Sequence, residues 1–131
     1  MYLVDTNIWL ELLLQQDKAG EVTSFFQTVD ASSLAITDFT LYSIGIILTR
    51  LKKYDVFDDF VVDTLEENSV NRICLDPLSL KRISSVQKQF GLDFDDAYQY
   101  VAATENELTL VSFDSDFDKT PLGRKTPAEI S

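Results

Sequence analysis

Tyr2-Leu3-Val4-Asp5-Thr6-Asn7 opens the chain, and Ile8-Trp9-Leu10-Glu11-Leu12-Leu13-Leu14 follows it directly. Three residues suited to a strand run into an acid, a hydroxyl and an amide. A short apolar run this close to a long one reads as strand, turn and buried helix. Asp5 then stands at the carboxyl end of the first strand. In open α/β sheets, chemistry collects in the crevice outside those strand ends. Asp5 is therefore the first candidate in a group of carboxylates gathered to hold a divalent metal.

The rest of the chain repeats the alternation. Val22, Phe25, Phe26 and Val29 have helical spacing, and Leu34-Ala35-Ile36 suits a second strand. Thr37 or Asp38 can cap the next helix, over residues 39–51, which is apolar nearly all round through Leu48 and is expected to be buried. Residues 56–67 are amphipathic, with Phe57, Phe60, Val61 and Leu65 on one face and a solvated acidic face of Asp58, Asp59, Asp63, Glu66 and Glu67. Residues 72–75 read as a third strand. Leu80, Ile83, Val86 and Phe90 mark a helix ended by Gly91. Asp93 can cap another, carrying Phe94, Ala97, Tyr98, Val101 and Ala102 at helical spacing. Residues 108–111 form a fourth strand, and a last short one is expected near Lys125-Thr126. The pattern predicts an α/β/α sandwich: a central, mostly parallel sheet of four or five strands with helices on both faces. Residues 1–131 read as a single domain, long enough for a real core.

Composition excludes several chemistries. The chain has no histidine, so a histidine base, a Ser-His or Cys-His pair and a zinc site with His ligands are all ruled out. Its one cysteine, Cys74, lies in an apolar run and reads as a buried thiol in a reducing compartment. No apolar stretch is long enough to span a membrane, and the start lacks the basic region of a signal peptide, so a cytoplasmic protein is expected. A net charge of −11 opposes easy nucleic-acid binding, yet clustered carboxylates are what a hard cation requires.

Three acidic groups fall where such a fold brings distant segments together: Asp5 after the first strand, Asp95 and Asp96 at the start of a helix, and Asp114 and Asp116 after the fourth strand. Each has a plainer reading as a helix cap, a first-turn acid or a turn residue. Their coincidence at crevice positions is what favours a metal site, where one or two divalent ions could activate water and stabilise a phosphodiester transition state.

These motifs resemble those of PIN-domain ribonucleases. Leu3-Val4-Asp5-Thr6-Asn7 resembles the family's opening motif, Asp96-Ala97 its central acid motif, and residues 110–117 its late motif. Size and motif order resemble the VapC-like toxins of type II toxin–antitoxin pairs. The resemblance implies a Mg²⁺- or Mn²⁺-dependent endoribonuclease acting on single-stranded RNA. By position it makes Asp5, Asp96 and Asp114 metal ligands and catalytic residues, with Asp116 a further ligand. Thr6 or Asn7 would orient a ligand or water, and Asp95 is the alternative to Asp96. RNA would meet basic residues near the site, with Arg50, Lys52, Lys53, Lys119, Arg124 and Lys125 as candidates. A cognate antitoxin and a homodimer are the expected protein partners, with aromatic-rich amphipathic helices to receive them.

One departure stands out. Family members usually carry a Glu in the helix after the second strand, and Ser43 stands at that position. A hydroxyl is a poor replacement for a carboxylate, and metal affinity follows ligand charge. Asp38 lies on a different face of that helix, and Glu11 falls a turn and a half after Asp5, so neither is an obvious substitute. The alternative reading is thus a catalytically weakened or inactive PIN-like binding or regulatory module. An aspartyl-phosphate phosphatase is disfavoured, because such enzymes want a second acid two residues after the first and Asn7 stands there.

Overall fold

Strand β1 (Tyr2–Val4) lies inside the sheet of the computed structural model, which describes Met1–Ser131. Strands β2 (Leu34–Thr37), β3 (Asn71–Ile73) and β4 (Thr109–Val111) complete the order β3-β2-β1-β4, with every pairing parallel. The chain steps outward from β1 to β2 to β3, then returns to lay β4 on the other side of β1. The carboxyl ends of β1 and β4 therefore flank the point where the strand order reverses, the usual crevice of an open α/β sheet.

Pleating divides the strand residues between two cores. Leu3, Ala35 and Leu110 are neighbours in register and point to one face. Val4, Leu34, Ile36 and Val111 point to the other. Helices α1 (Thr6–Leu13), α2 (Ala19–Thr28), α3 (Asp38–Arg50) and α4 (Tyr54–Val61) cover this second face, burying Ile8, Trp9, Val22, Phe25, Leu41, Ile44, Leu48 and Phe60. Helices α5 (Pro77–Phe90) and α6 (Phe94–Glu105) cover the first, with Ile83, Val86, Ala97 and Val101. Because both faces are covered, the strands read as unbroken apolar runs rather than alternating ones.

Local signals set the helix ends. Thr37 is the cap of α3, accepting the Thr40 amide at 3.1 Å, and Asp76 caps α5 through the Ser79 amide at 2.9 Å. Gly91 ends α5 at φ 65°, a left-handed conformation that costs glycine nothing. Asp93 occupies the cap position of α6, but its side chain makes no capping bond. Past α4 the chain continues as a π-helical turn, Val62–Glu67.

Several expectations need correction. Helix α3 is not buried all round: Tyr42 and Ile46, one turn apart, are 59% and 52% exposed. The sheet, α1 and α4 cover only part of its circumference, and this stripe lies outside them. The third strand lies one to two residues earlier than expected, so Cys74 falls just past its end and is exposed rather than buried. The strand expected near Lys125-Thr126 is a single parallel bridge between Val111 and Lys125. Thr126 and Glu129 then form a capping box for a short helix, α7 (Pro127–Ile130), that the sequence reading did not anticipate. No helix is long and apolar enough to cross a membrane.

Truncating a strand residue at the junction of sheet and helices should be costly. Leu110→Ala is expected to lower unfolding free energy by about 2–5 kcal/mol in urea titrations. Replacing exposed Leu78 with Ser should change it by less than about 0.5 kcal/mol.

Candidate active site

Asp5 leaves β1 with its backbone amide still bonded to the Val111 carbonyl at 2.9 Å, so its position is fixed by the sheet. It is also the cap of α1, and its Oδ1 accepts the Thr6 amide at 2.8 Å. Its side chain is 6% exposed and takes three further donors. Gln99 Nε2 reaches Oδ1 at 3.0 Å, Ser112 Oγ reaches Oδ2 at 2.7 Å, and Asn7 Nδ2 lies 3.4 Å from Oδ2. Ser112 Oγ itself accepts from the Asp114 amide and from Asn7 Nδ2, at 2.9 and 3.2 Å. Its own proton is therefore committed to Asp5. Asn7 Oδ1 accepts the Phe113 amide at 3.2 Å, tying the first turn of α1 to the segment after β4.

Asp96 opens α6 and turns inward, where it is 8% exposed; Asp95 is exposed. The carboxylates of Asp96, Asp114 and Asp116 lie within 4.8 Å of one another, although they come from two segments of the chain. Asp114 also caps a 3₁₀ turn, Ser115–Lys119, by accepting the Asp116 amide at 2.9 Å, which explains how two acids are held so near each other. Asp5 stands outside this trio but within electrostatic reach of Asp96 and Asp114.

The two buried acids differ in support. Asp5 is surrounded by donors, whereas Asp96 has no donor to its carboxylate apart from its contact with Asp114. Burial pushes Asp96 up to about 8, helped by the hydrogen bond with Asp114 and by the charges of Asp114, Asp5 and Asp116. Burial also raises Asp5, opposed by its bonds from Ser112, Gln99 and Thr6.

A cavity of about 340 Å³ opens over this region. Asp5, Thr6, Asn7, Ser43, Asp95 and Asp96 form its polar part, while Leu10, Phe39, Ile46 and Ile47 form an apolar wall. Ser43 thus faces the acids from α3. Neither candidate replacement for its missing carboxylate lines the cavity: Asp38 pairs with Arg72, and Glu11 accepts the Lys18 amide at 2.6 Å. Of the basic candidates, Arg124 donates to the Ser112 carbonyl at 3.2 Å and pairs in two-pronged fashion with Asp118. Lys119 is bonded to the Gly91 carbonyl at 3.0 Å.

Gln99 and Thr40 are the site residues that sequence reasoning missed. Thr40 Oγ1 lies 2.9 Å from Thr6 Oγ1 and accepts from Gln99 Nε2 at 2.9 Å. A signal existed for Gln99, because it lies one turn after Asp96, on an otherwise apolar helix face.

The PIN domain family model matches residues 2–122, and the chain belongs to that family. Among solved structures, the chain is similar to the crystal structure of FitAcB from Neisseria gonorrhoeae, at 20% identity and TM-score 0.79, covering 97% of this chain and 98% of that one. A toxin–antitoxin complex from Klebsiella pneumoniae matches at 20% identity and TM-score 0.77, with the same coverage of 97% and 98%. VapC20 from Mycobacterium tuberculosis, described as a sarcin-ricin loop cleaving toxin, matches at 15% identity and TM-score 0.78, covering 90% and 93%. No curated protein matches the sequence.

The raised acids make a prediction about pH. Between the ordinary value of 3.8 and about 8, folded protein binds more protons here than unfolded chain does. This stability contribution is full below the lower value and is lost as pH rises through the upper one. The Tm of metal-free protein should therefore carry a falling component from about pH 5 to about pH 8 that Asp96→Asn removes. That substitution should also raise Tm near pH 8, by roughly 3–6 °C for each kcal/mol of relieved repulsion. Identical pH profiles for the two proteins in calorimetry would contradict this assignment.

Proposed function

We propose that this chain is a metal-dependent endoribonuclease that cleaves single-stranded RNA, and that it serves in the cytoplasm as the toxin of a toxin–antitoxin pair. One observation carries the reading: the Asp96 carboxylate has no protein donor of its own and lies within 4.8 Å of those of Asp114 and Asp116, on a residue only 8% exposed that lines the polar part of the cavity. Such an arrangement is costly unless a cation joins it. The donor set is all oxygen and all anionic, which suits Mg²⁺ or Mn²⁺. Asp96, Asp114 and Asp116 would hold the ion, with Asp5 reaching it from the β1 side. When bound, the metal supplies an activated water and neutralises charge developing on a phosphodiester.

The remaining roles belong to the chain itself. Ser112, Thr6 and Asn7 aim the Asp5 carboxylate. Arg124, paired with Asp118 and bonded to the Ser112 carbonyl, keeps N–H groups of its guanidinium free for a backbone phosphate near the segment that carries Asp114. The apolar side chains of Leu10, Phe39 and Ile47 in the cavity wall can bear against an unstacked base, and unstacked bases are what single-stranded RNA presents.

A second reading, a weakened or inactive binding module, is favoured by Ser43, which sets a neutral hydroxyl where the cavity faces the acids. Both readings accommodate protein partners. An apolar cavity of about 540 Å³ lies between α1, α2 and α4, floored by Trp9, Phe26 and Phe60 and rimmed by Asp30, Asp59 and Asp63. None of those three acids is in an ion pair, so a basic amphipathic antitoxin segment fits the groove. The exposed Tyr42 and Ile46 stripe is the face we assign to a homodimer.

Incubating the purified protein with single-stranded RNA and Mn²⁺ tests the main reading. Wild type should cleave, and Asp96→Asn should lose roughly 100-fold or more, beyond what loss of an outer-shell partner costs. Ser43→Glu should tighten Mn²⁺ binding about tenfold by adding a charged ligand. Cleavage by neither wild type nor Ser43→Glu, together with no Mn²⁺ binding, would favour the second reading.

A further inference from the structure

Gln99 is 1% exposed and sits at the centre of a buried polar chain linking three elements. Its Nε2 donates both protons, to Asp5 Oδ1 at 3.0 Å and to Thr40 Oγ1 at 2.9 Å. Its Oε1 accepts the Thr37 hydroxyl at 2.8 Å. A reversed amide would set oxygen against the Asp5 carboxylate, so the partners fix one orientation. A leucine would fill the same space in α6 without burying an amide. The amide therefore has a use, and the carboxylate it faces is the only charged group it touches.

We propose that Gln99 is a positioning residue, fixing the Oδ1 end of the Asp5 carboxylate so that, with Ser112 on Oδ2, its plane is held beside Asp96 and Asp114. This inference rests on the metal-dependent reading above. Ser112 and Asn7 hold Oδ2, whereas Oδ1 has only the Thr6 amide, a neighbour in sequence, and Gln99, so Gln99 is the one side-chain donor that fixes the Oδ1 end of the carboxylate. Thr37 acts one bond further out. It touches neither Asp5 nor the acid trio, yet its hydroxyl pins the Gln99 amide and caps α3. With a neutral residue at position 43, fewer charges are available, and the aim of each remaining carboxylate matters more.

The test is a calorimetric Mn²⁺ titration of the full chain, with thermal unfolding run beside it. Gln99→Met should weaken Mn²⁺ binding roughly 10–100-fold, the range for outer-shell partners. Thr37→Val should weaken it less, by about three- to tenfold, while Thr37→Ser, which keeps the hydroxyl, should match wild type. Val101→Ala, on the same helix but in the apolar core, should lower Tm and leave Mn²⁺ affinity within about twofold, which separates positioning from general loosening. If wild type binds and Gln99→Met and Thr37→Val bind equally well, Gln99 is not a positioning residue and the metal reading survives. If wild type itself fails to bind, the metal reading falls and this inference falls with it. Should Gln99→Met not fold, the Thr37 pair decides alone.

Discussion

Like charges held close together repel, and the carboxyl edge of this sheet, with Asp5 and Asp96 buried, Asp114 half-buried and Asp116 exposed, is arranged around that repulsion. Asp5, Asp96, Asp114 and Asp116 arrive from β1, α6 and the segment after β4. Two parallel pairings, β1 with β2 and β1 with β4, fix where the first and last of these segments emerge. The backbone is then settled by cores on both faces, so the acids cannot drift apart to relieve one another without disturbing Val4, Val111 or Ala97, all fully buried. Packing energy from elsewhere in the molecule offsets the electrostatic cost here, as is usual at sites that act on something else.

The molecule treats its acids unequally. Asp5 is surrounded by hydroxyl and amide donors and is held as a well-defined acceptor. Asp96 is left with its neighbours' charges. Pairs of titratable groups whose surroundings differ in this way are a mark of functional sites rather than of surface decoration. The acids at the rim of the larger apolar groove, Asp30, Asp59 and Asp63, are of the other kind: they border an apolar floor and face outward.

Much of this was legible in the sequence, and the reasons are local. The Asp5 motif, the β1–α1 transition and the acids after β4 declare themselves because strand, cap and turn chemistry follow short-range rules. Strand alternation with helices implied a parallel sheet. Other features depended on tertiary context. Whether Asp95 or Asp96 turned inward depended on the phase of α6 against the sheet, and Asp96 is the buried one. The exposure of Tyr42 and Ile46 depended on which neighbours α3 has, since apolar composition does not say how much of a helix is covered. Cys74 reads as buried in an apolar run, but its strand ends one residue earlier. Gln99 was missed because its one signal, a place one turn after Asp96 on an apolar helix face, is not a motif; its three partners give it its role.

Anomalous difference density from a crystal soaked in Mn²⁺ tests the convergence of carboxylates on one cation most directly. The account predicts a peak about 2.0–2.3 Å from oxygens of Asp96 and Asp114, with Asp5 or Asp116 completing the inner set, as expected for a hard cation on carboxylates. A crystal whose only ordered Mn²⁺ lies elsewhere, for example on the acidic face of α4, would contradict it.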